Sequence, residues 1–114
     1  MNQGRKRKGR SDRMHLIYQL DVGGKKYIGM TFLRKQSVPK TMRARIIQHW
    51  YNANKLQYKW GLSKAIRDLD SIEDIGYTIL ARVRGKDACH KQERALIVKK
   101  KPVLNTDTRV AKRG

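Results

Sequence analysis

A glycine pair, Gly23-Gly24, separates two stretches of alternating residues and predicts a β-hairpin near the start of the chain. The first strand is expected over Met14–Asp21 and the second over Lys26–Thr31. One face of the first strand carries Met14, Leu16, Tyr18 and Leu20. A two-residue turn would place Tyr27 on the face of Tyr18, whereas a three-residue turn would place the two tyrosines on opposite faces.

The middle of the chain predicts two helices. Apolar residues recur at helical spacing from Lys40 to about Asn54, and Pro39 suits a first helical turn. A shorter helix is expected from Ser63, as its N-cap, to Asp70. The apolar positions of the first helix are Met42, Ile46, Trp50 and Ala53.

The last third of the chain predicts one strand and one helix. Residues Ile75–Val83 alternate as a third strand would, and Gly85 ends that strand. Asp87 is then expected to cap a helix that reaches about Lys100 and stops before Pro102. A short extended segment, residues 103–106, closes the fold.

These elements predict an α+β fold, a small three-stranded antiparallel sheet flanked by helices in the order ββααβα. At 114 residues a single domain is expected, here residues 14–106. The segments on either side are basic: residues 1–13 are predicted to be a disordered arm and residues 107–114 a basic tail.

The charge points to a polyanionic partner. The chain has 28 Lys and Arg against 9 Asp and Glu, a net charge of +19, far more than solubility requires. Nucleic acid is the commonest large polyanion of a cell, so the composition argues against a small enzyme for an uncharged metabolite. The arm is expected to contact the nucleic-acid backbone through Arg5, Lys6, Arg7, Lys8, Arg10 and Arg13.

Composition also indicates the compartment in which the protein is expected. No apolar run approaches the roughly 20 residues of a membrane span, so no membrane partner is expected. Cys89 is the single cysteine, which excludes a disulfide or a cysteine-ligated zinc within one chain and favours a reducing cytoplasm.

Three residues of the predicted helices stand out as candidates for chemistry. Arg45 and His49 are four apart, so they stack on one side of their helix at the margin of its apolar stripe. Glu93 lies four residues from both Cys89 and Ile97 on the buried stripe of the last helix, so its carboxylate is expected to point inward. Such a carboxylate needs a cation or a dense set of hydrogen bonds, and a buried salt bridge to Arg45 is the alternative to a metal ion.

The ordered set of motifs resembles the GIY-YIG endonuclease family from about Leu16 to Asn105. The motifs are Leu16-Ile17-Tyr18, Tyr27-Ile28-Gly29, Arg45 with His49, Glu93 and Asn105. Leu16 stands where the family usually has glycine, but the tyrosine of that motif is kept. Members of the family have the three-stranded fold expected here and hydrolyse phosphodiester bonds.

The resemblance implies a role for each residue of the set. Glu93 would be the sole protein ligand of one Mg²⁺ or Mn²⁺, and Arg45 would clamp the phosphate oxygens. Tyr18 would be the general base, with Arg45 and His49 expected to favour its phenolate form, and His49 would relay its proton. Tyr27 would position the water or Tyr18. Asn105 would hold the closing segment beside the site.

The resulting expectation is a minimal, free-standing, metal-dependent DNA endonuclease that acts on duplex or structured DNA in the cytoplasm. By family analogy its origin would be a phage or mobile element, and the compartment the host cytoplasm. Two alternatives stay open: a non-catalytic nucleic-acid-binding protein, ribosome- or nucleoid-associated, on the same scaffold, and a nuclease for RNA or branched DNA. The sequence leaves open whether the protein is a monomer or a dimer.

Overall fold

The computed structural model describes residues 13–34, 37–56 and 61–105. Their order of main elements is ββααβα, as predicted, and the fold is a small α+β fold with a three-stranded antiparallel sheet. The elements are β1 (Met14–Val22), β2 (Lys25–Phe32), α1 (Val38–Tyr51), a π-helical turn (Asn52–Leu56), α2 (Gly61–Arg67), a 3-10 turn (Ile72–Asp74), β3 (Gly76–Arg84) and α3 (Lys86–Lys100).

The hairpin has a two-residue turn and places the two tyrosines on one face. Gly23 and Gly24 have φ angles of 59° and 82°, the left-handed values that a tight hairpin turn of this length needs. Leu20 therefore pairs with Tyr27 and Tyr18 pairs with Gly29. The shared face of the tyrosines, predicted for a turn of this length, is confirmed.

Strand β1 is the middle strand of the sheet, in the order β2-β1-β3, and both of its faces are covered. On one face the strand packs against α1 and α2, and on the other it packs against α3. The residues of β1 with no exposed surface are Leu16, Ile17, Tyr18, Leu20 and Val22. Burial on both sides fixes the backbone from which the Tyr18 side chain projects.

The bounds of the two middle helices differ from the prediction. Ser37 caps α1 by accepting a hydrogen bond from the Lys40 N–H at 3.3 Å, and Pro39 occupies the first turn as expected. Helix α2 begins at Gly61, so the prediction that Ser63 is its N-cap was wrong. Both Leu62 and Ile66, one helical turn apart, are buried, which requires residue 62 to be helical already.

A β-bulge interrupts the alternation that was predicted along β3. Ile17 pairs with Ala81 whereas Tyr18 pairs with Ile79, so Leu80 is an extra residue on β3. Ile79 packs into the core beneath α1, while Leu80 and Ala81 both pack with the residues beneath α3. The expected strict alternation over Ile75–Val83 is therefore wrong beyond Ile79, because the bulge shifts the register by one residue.

The structure at the start of α3 and beyond its end differs from two expectations. Gly85 is the N-cap, with φ 96°, so Asp87 lies within the first turn and is not the cap. The helix ends at Lys100, before Pro102, as predicted. Residues 103–105 form a helical turn in place of the expected extended segment, because the Asn105 side chain bonds to the edge of β2 from that turn.

The predicted arm, apart from Arg13, and the predicted tail lie outside the described residues. Within the ranges that the structure describes, no helix has the length and apolar character needed to cross a lipid bilayer.

Candidate active site

The hydroxyl of Tyr18 is held between Arg45 and His49. The Arg45 Nε donates a hydrogen bond to the Tyr18 oxygen at 3.1 Å, and the Tyr18 oxygen lies 3.0 Å from the His49 Nε2. The tautomer of His49 sets the direction of this second bond: with the ring proton on Nδ1, the Nε2 accepts from the Tyr18 hydroxyl. One turn of α1 thus supplies both partners of the phenol, as the four-residue spacing of Arg45 and His49 predicted.

Burial has the largest effect on the pKa values of Tyr18 and His49. Burial raises the pKa of Tyr18, and the nearby Arg45 guanidinium offsets only part of that rise. Burial, with a smaller contribution from Arg45, lowers the pKa of His49 to about 4. The expected effect of Arg45 on the Tyr18 phenol is thus present but is smaller than the effect of burial.

Gln48 fixes the Arg45 guanidinium from its other side. The Arg45 Nη1 donates a hydrogen bond to the Gln48 Oε1 at 2.9 Å. Sequence reasoning missed Gln48, although its spacing of three residues from Arg45 on a helix was a usable signal. Two directed hydrogen bonds, one to Gln48 and one to Tyr18, leave little freedom to the guanidinium plane.

Tyr27 completes the aromatic side of the site. Its ring meets the His49 ring edge-on, with the two centroids 5.8 Å apart, and the Tyr18 ring meets His49 in a similar way at 6.3 Å. Burial, the neighbouring Tyr18 and the Glu93 charge raise the pKa of Tyr27 against the opposing effect of Arg45. In the free protein Tyr27 therefore favours its neutral form, and its ring packs against His49.

Glu93 points inward, as its position on α3 predicted. Its side chain is only 13% exposed, and its ion pair is with His90 of the same helix at 3.3 Å. The alternative, a salt bridge to Arg45, is not what the structure contains, since Arg45 bonds to Tyr18 and Gln48. Burial raises the pKa of Glu93 against the opposing charges of His90 and Arg94. Its charge in turn raises the pKa of Tyr18, which puts the carboxylate within electrostatic range of the phenol.

The donor chemistry of Glu93 suits a hard divalent cation. In the described part of the chain no three His, Cys, Asp or Glu side chains form a cluster that could hold a metal ion. Mg²⁺ keeps several water ligands and often takes only one or two carboxylates, so a single acid is compatible with it. The carboxylate is inward-facing and costly to ionise, and its ion pair among the described residues is with a half-exposed histidine, which leaves its chemistry compatible with an added cation.

Asn105 clamps the outer edge of β2. Its side-chain Oδ1 accepts from the Ile28 N–H at 2.7 Å, and its Nδ2 donates to the Ile28 carbonyl at 2.9 Å. Ile28 stands between Tyr27 and Gly29 on the strand that borders the site. Asn105 is thus a structural residue that holds the closing segment at this strand, in agreement with the expectation.

The remaining candidates lie at the border of the site or outside the described residues. Arg13, at the start of β1, is exposed, and its guanidinium carbon lies 5.2 Å from the centre of the Phe32 ring. The other predicted nucleic-acid contacts, Arg5, Lys6, Arg7, Lys8 and Arg10, fall outside the described ranges.

Comparisons of this chain with protein-family models, with curated proteins and with solved structures found no match.

Proposed function

We propose that this protein is a metal-dependent DNA endonuclease of the GIY-YIG type. The observation that carries the proposal is the Tyr18 hydroxyl, held by a cation on one side and by a neutral imidazole on the other. A buried tyrosine needs a single hydrogen-bond partner to be stable in a core. A proton relay needs a phenol that can pass its proton to an acceptor while a nearby cation stabilises its oxygen, and Tyr18 has both kinds of neighbour.

The relay would activate a water molecule for attack on phosphorus. As the Tyr18 oxygen takes a proton from the water, its own proton passes along the existing hydrogen bond to the His49 Nε2. His49 accepts poorly in the free protein, because burial and Arg45 both disfavour its charged form. A bound phosphodiester brings negative charge beside His49 and Arg45 and thereby favours the imidazolium.

Arg45 and Glu93 supply the electrostatic part of the mechanism. The guanidinium of Arg45, oriented by Gln48, would face the non-bridging phosphate oxygens, where charge builds up during the reaction. Glu93 would hold the Mg²⁺ or Mn²⁺ ion, which when bound supplies Lewis-acid stabilisation of the departing sugar oxygen. The net charge of +19 favours polyanionic DNA over small phosphate esters as the substrate.

The test is the cleavage of supercoiled plasmid DNA in the presence of Mg²⁺ or Mn²⁺. We expect nicked circles with the unmodified chain and intact plasmid both with EDTA and with Glu93→Ala. Asp87→Ala, which removes an exposed acid from the same helix, is the matched control and should cut normally.

Plasmid that stays intact with either metal across the neutral and alkaline pH range would refute the nuclease. The protein would then be a nucleic-acid-binding protein on this scaffold. Cleavage that survives Glu93→Ala would refute the assignment of the metal ligand while leaving the activity in place.

A further inference from the structure

A basic groove opens beside Arg45 at the far end of β2. It has a volume of about 290 Å³, and its walls come from the end of β2, from α1 and from the first residue of α3. Its cationic lining residues are Arg34, Arg45 and Lys86, with Gln48, Thr31 and Thr41 as uncharged polar neighbours. No carboxylate is present among the described residues that line it.

Phe32, an exposed aromatic ring that lines this groove, lies close to two guanidinium groups. The Arg34 and Arg13 guanidinium carbons lie 5.3 Å and 5.2 Å from the centre of the Phe32 ring. The Arg13 backbone is fixed, since its carbonyl accepts hydrogen bonds from the Gly85 N–H at 2.9 Å and from the His15 Nδ1 at 2.8 Å. Within the described ranges neither guanidinium has a carboxylate partner, so both retain their charge for an external anion.

The groove and the candidate active site share one residue. Arg45 contacts Tyr18 through its Nε and also lines the groove, so an anion in the groove lies next to the phosphate that Arg45 would clamp. A surface with three cations, hydroxyl and amide donors and no acid among its described lining residues suits the phosphates of a nucleic-acid strand. Arginine stacked on an aromatic ring is held in a planar orientation that suits phosphate contact.

We infer that this groove binds the DNA strand that flanks the scissile phosphate. Lys86 and Arg34 contact successive phosphates on the way out of the site, and Phe32 holds Arg34 and Arg13 in place. The inference rests on the proposed function for its ligand, DNA, and it goes further by assigning the path of the strand.

The test is the binding of a short fluorescein-labelled DNA duplex, measured by anisotropy in EDTA over a series of salt concentrations. The groove variant Arg34→Gln/Lys86→Gln should lower the affinity and reduce the slope of log affinity against log salt by about 2, since each lost phosphate contact contributes about 0.9. The matched control, Lys64→Gln/Lys99→Gln, removes the same charge from exposed positions on α2 and α3 that do not line the groove. It should change the slope much less.

Two further variants separate charge from geometry. Arg34→Lys retains the charge, so the salt slope should stay near that of the unmodified chain while the affinity falls severalfold. Phe32→Leu should lower the affinity in the same way, and the circular dichroism of each variant reports whether it is folded.

Equal losses in the groove variant and the control variant would overturn the inference, because binding would then depend on total charge alone. A selective loss in the groove variant would support it. This readout does not need cleavage. If the chain fails to cut DNA but the groove variant shows the selective loss of DNA affinity, the proposed nuclease activity would be refuted and the proposed DNA-binding groove would stand.

Discussion

The Tyr18 hydroxyl lies 2.7 Å from the point that a Cβ atom on Gly29 would occupy, and the two residues pair across β1 and β2. The same Cβ would lie 2.9 Å from the Tyr27 ring. The φ angle of Gly29 is not in the left-handed region, so the glycine is needed for space and not for backbone conformation. The glycine of the Tyr-Ile-Gly motif thus leaves the space that the side chains of Tyr18 and Tyr27 need.

Replacing Gly29 with alanine should therefore damage the site more than the fold. We expect Gly29→Ala to reduce plasmid cleavage on the order of 100-fold by displacing the Tyr18 hydroxyl, and to lower the free energy of unfolding by about 1–3 kcal/mol. Gly76→Ala is the control, since its nearest neighbour would be 3.8 Å away. Full activity of Gly29→Ala would contradict the role of this space.

Removing the Tyr18 hydroxyl tests the proposed proton relay. Tyr18→Phe should lower kcat by about 10²- to 10⁴-fold while DNA affinity changes little, because the hydroxyl acts in the transition state. Cleavage rates at saturating DNA and binding in EDTA measure the two quantities separately. Parallel losses in rate and affinity would instead place Tyr18 in substrate binding.

The half-buried His49 makes stability depend on pH. Its pKa of about 4 in the folded protein lies below the ordinary 6.5, so the unfolded chain binds the proton more tightly. This contribution destabilises the fold progressively as the pH falls from about 6.5 to 4 and amounts to about 3 kcal/mol below pH 4. The free energy of unfolding in urea is measured for the unmodified chain and for His49→Gln at several pH values. The difference between the two chains gives the contribution of His49. A difference that does not vary with pH would show that His49 is not buried as a neutral group.

The Asn105 clamp should contribute to stability. Asn105→Ala removes both hydrogen bonds to Ile28 and should lower the free energy of unfolding by about 1–3 kcal/mol, measured in urea. Asn54→Ala, an exposed asparagine with one hydrogen bond to the Trp50 carbonyl, should change it by less than about 0.5 kcal/mol. Equal effects would show that the clamp adds nothing beyond an ordinary surface contact.

Deletion of residues 1–12 tests the basic arm. The deletion keeps Arg13, because its carbonyl accepts hydrogen bonds that hold β1 near α3. Loss of the other five cations of the arm should weaken DNA binding and reduce the salt slope by up to about 4, with an unchanged cleavage rate at saturating DNA. A salt slope equal to that of the full chain would show that the arm does not contact phosphates.

Local patterns were sufficient to predict much of this molecule. Turn chemistry at Gly23-Gly24 fixed the register, and register alone put Tyr18 and Tyr27 on one face. The 3.6-residue period aligned Arg45 with His49, and the position of Glu93 between apolar neighbours correctly predicted an inward carboxylate.

Features that depend on tertiary context could not be predicted in this way. The bulge at Leu80 lets β3 contribute residues to the hydrophobic clusters on both faces of the sheet. The local alternation of β3 does not show where those clusters lie. The net direction of the Tyr18 pKa shift depends on burial, which outweighs Arg45 and has no sequence signal at a single position. The groove between Arg34 and Lys86 joins residues far apart in the chain, so it emerges only from the folded structure.

The pairing of Asn105 with Ile28 has a consequence for behaviour at high concentration. An outer strand with free amide and carbonyl groups can recruit the same strand of another molecule and seed aggregates. The carboxamide of Asn105 occupies one such pair of groups on β2 and thus mimics a neighbouring strand. A single side chain therefore leaves β2 with one pair fewer of backbone groups to offer to another strand.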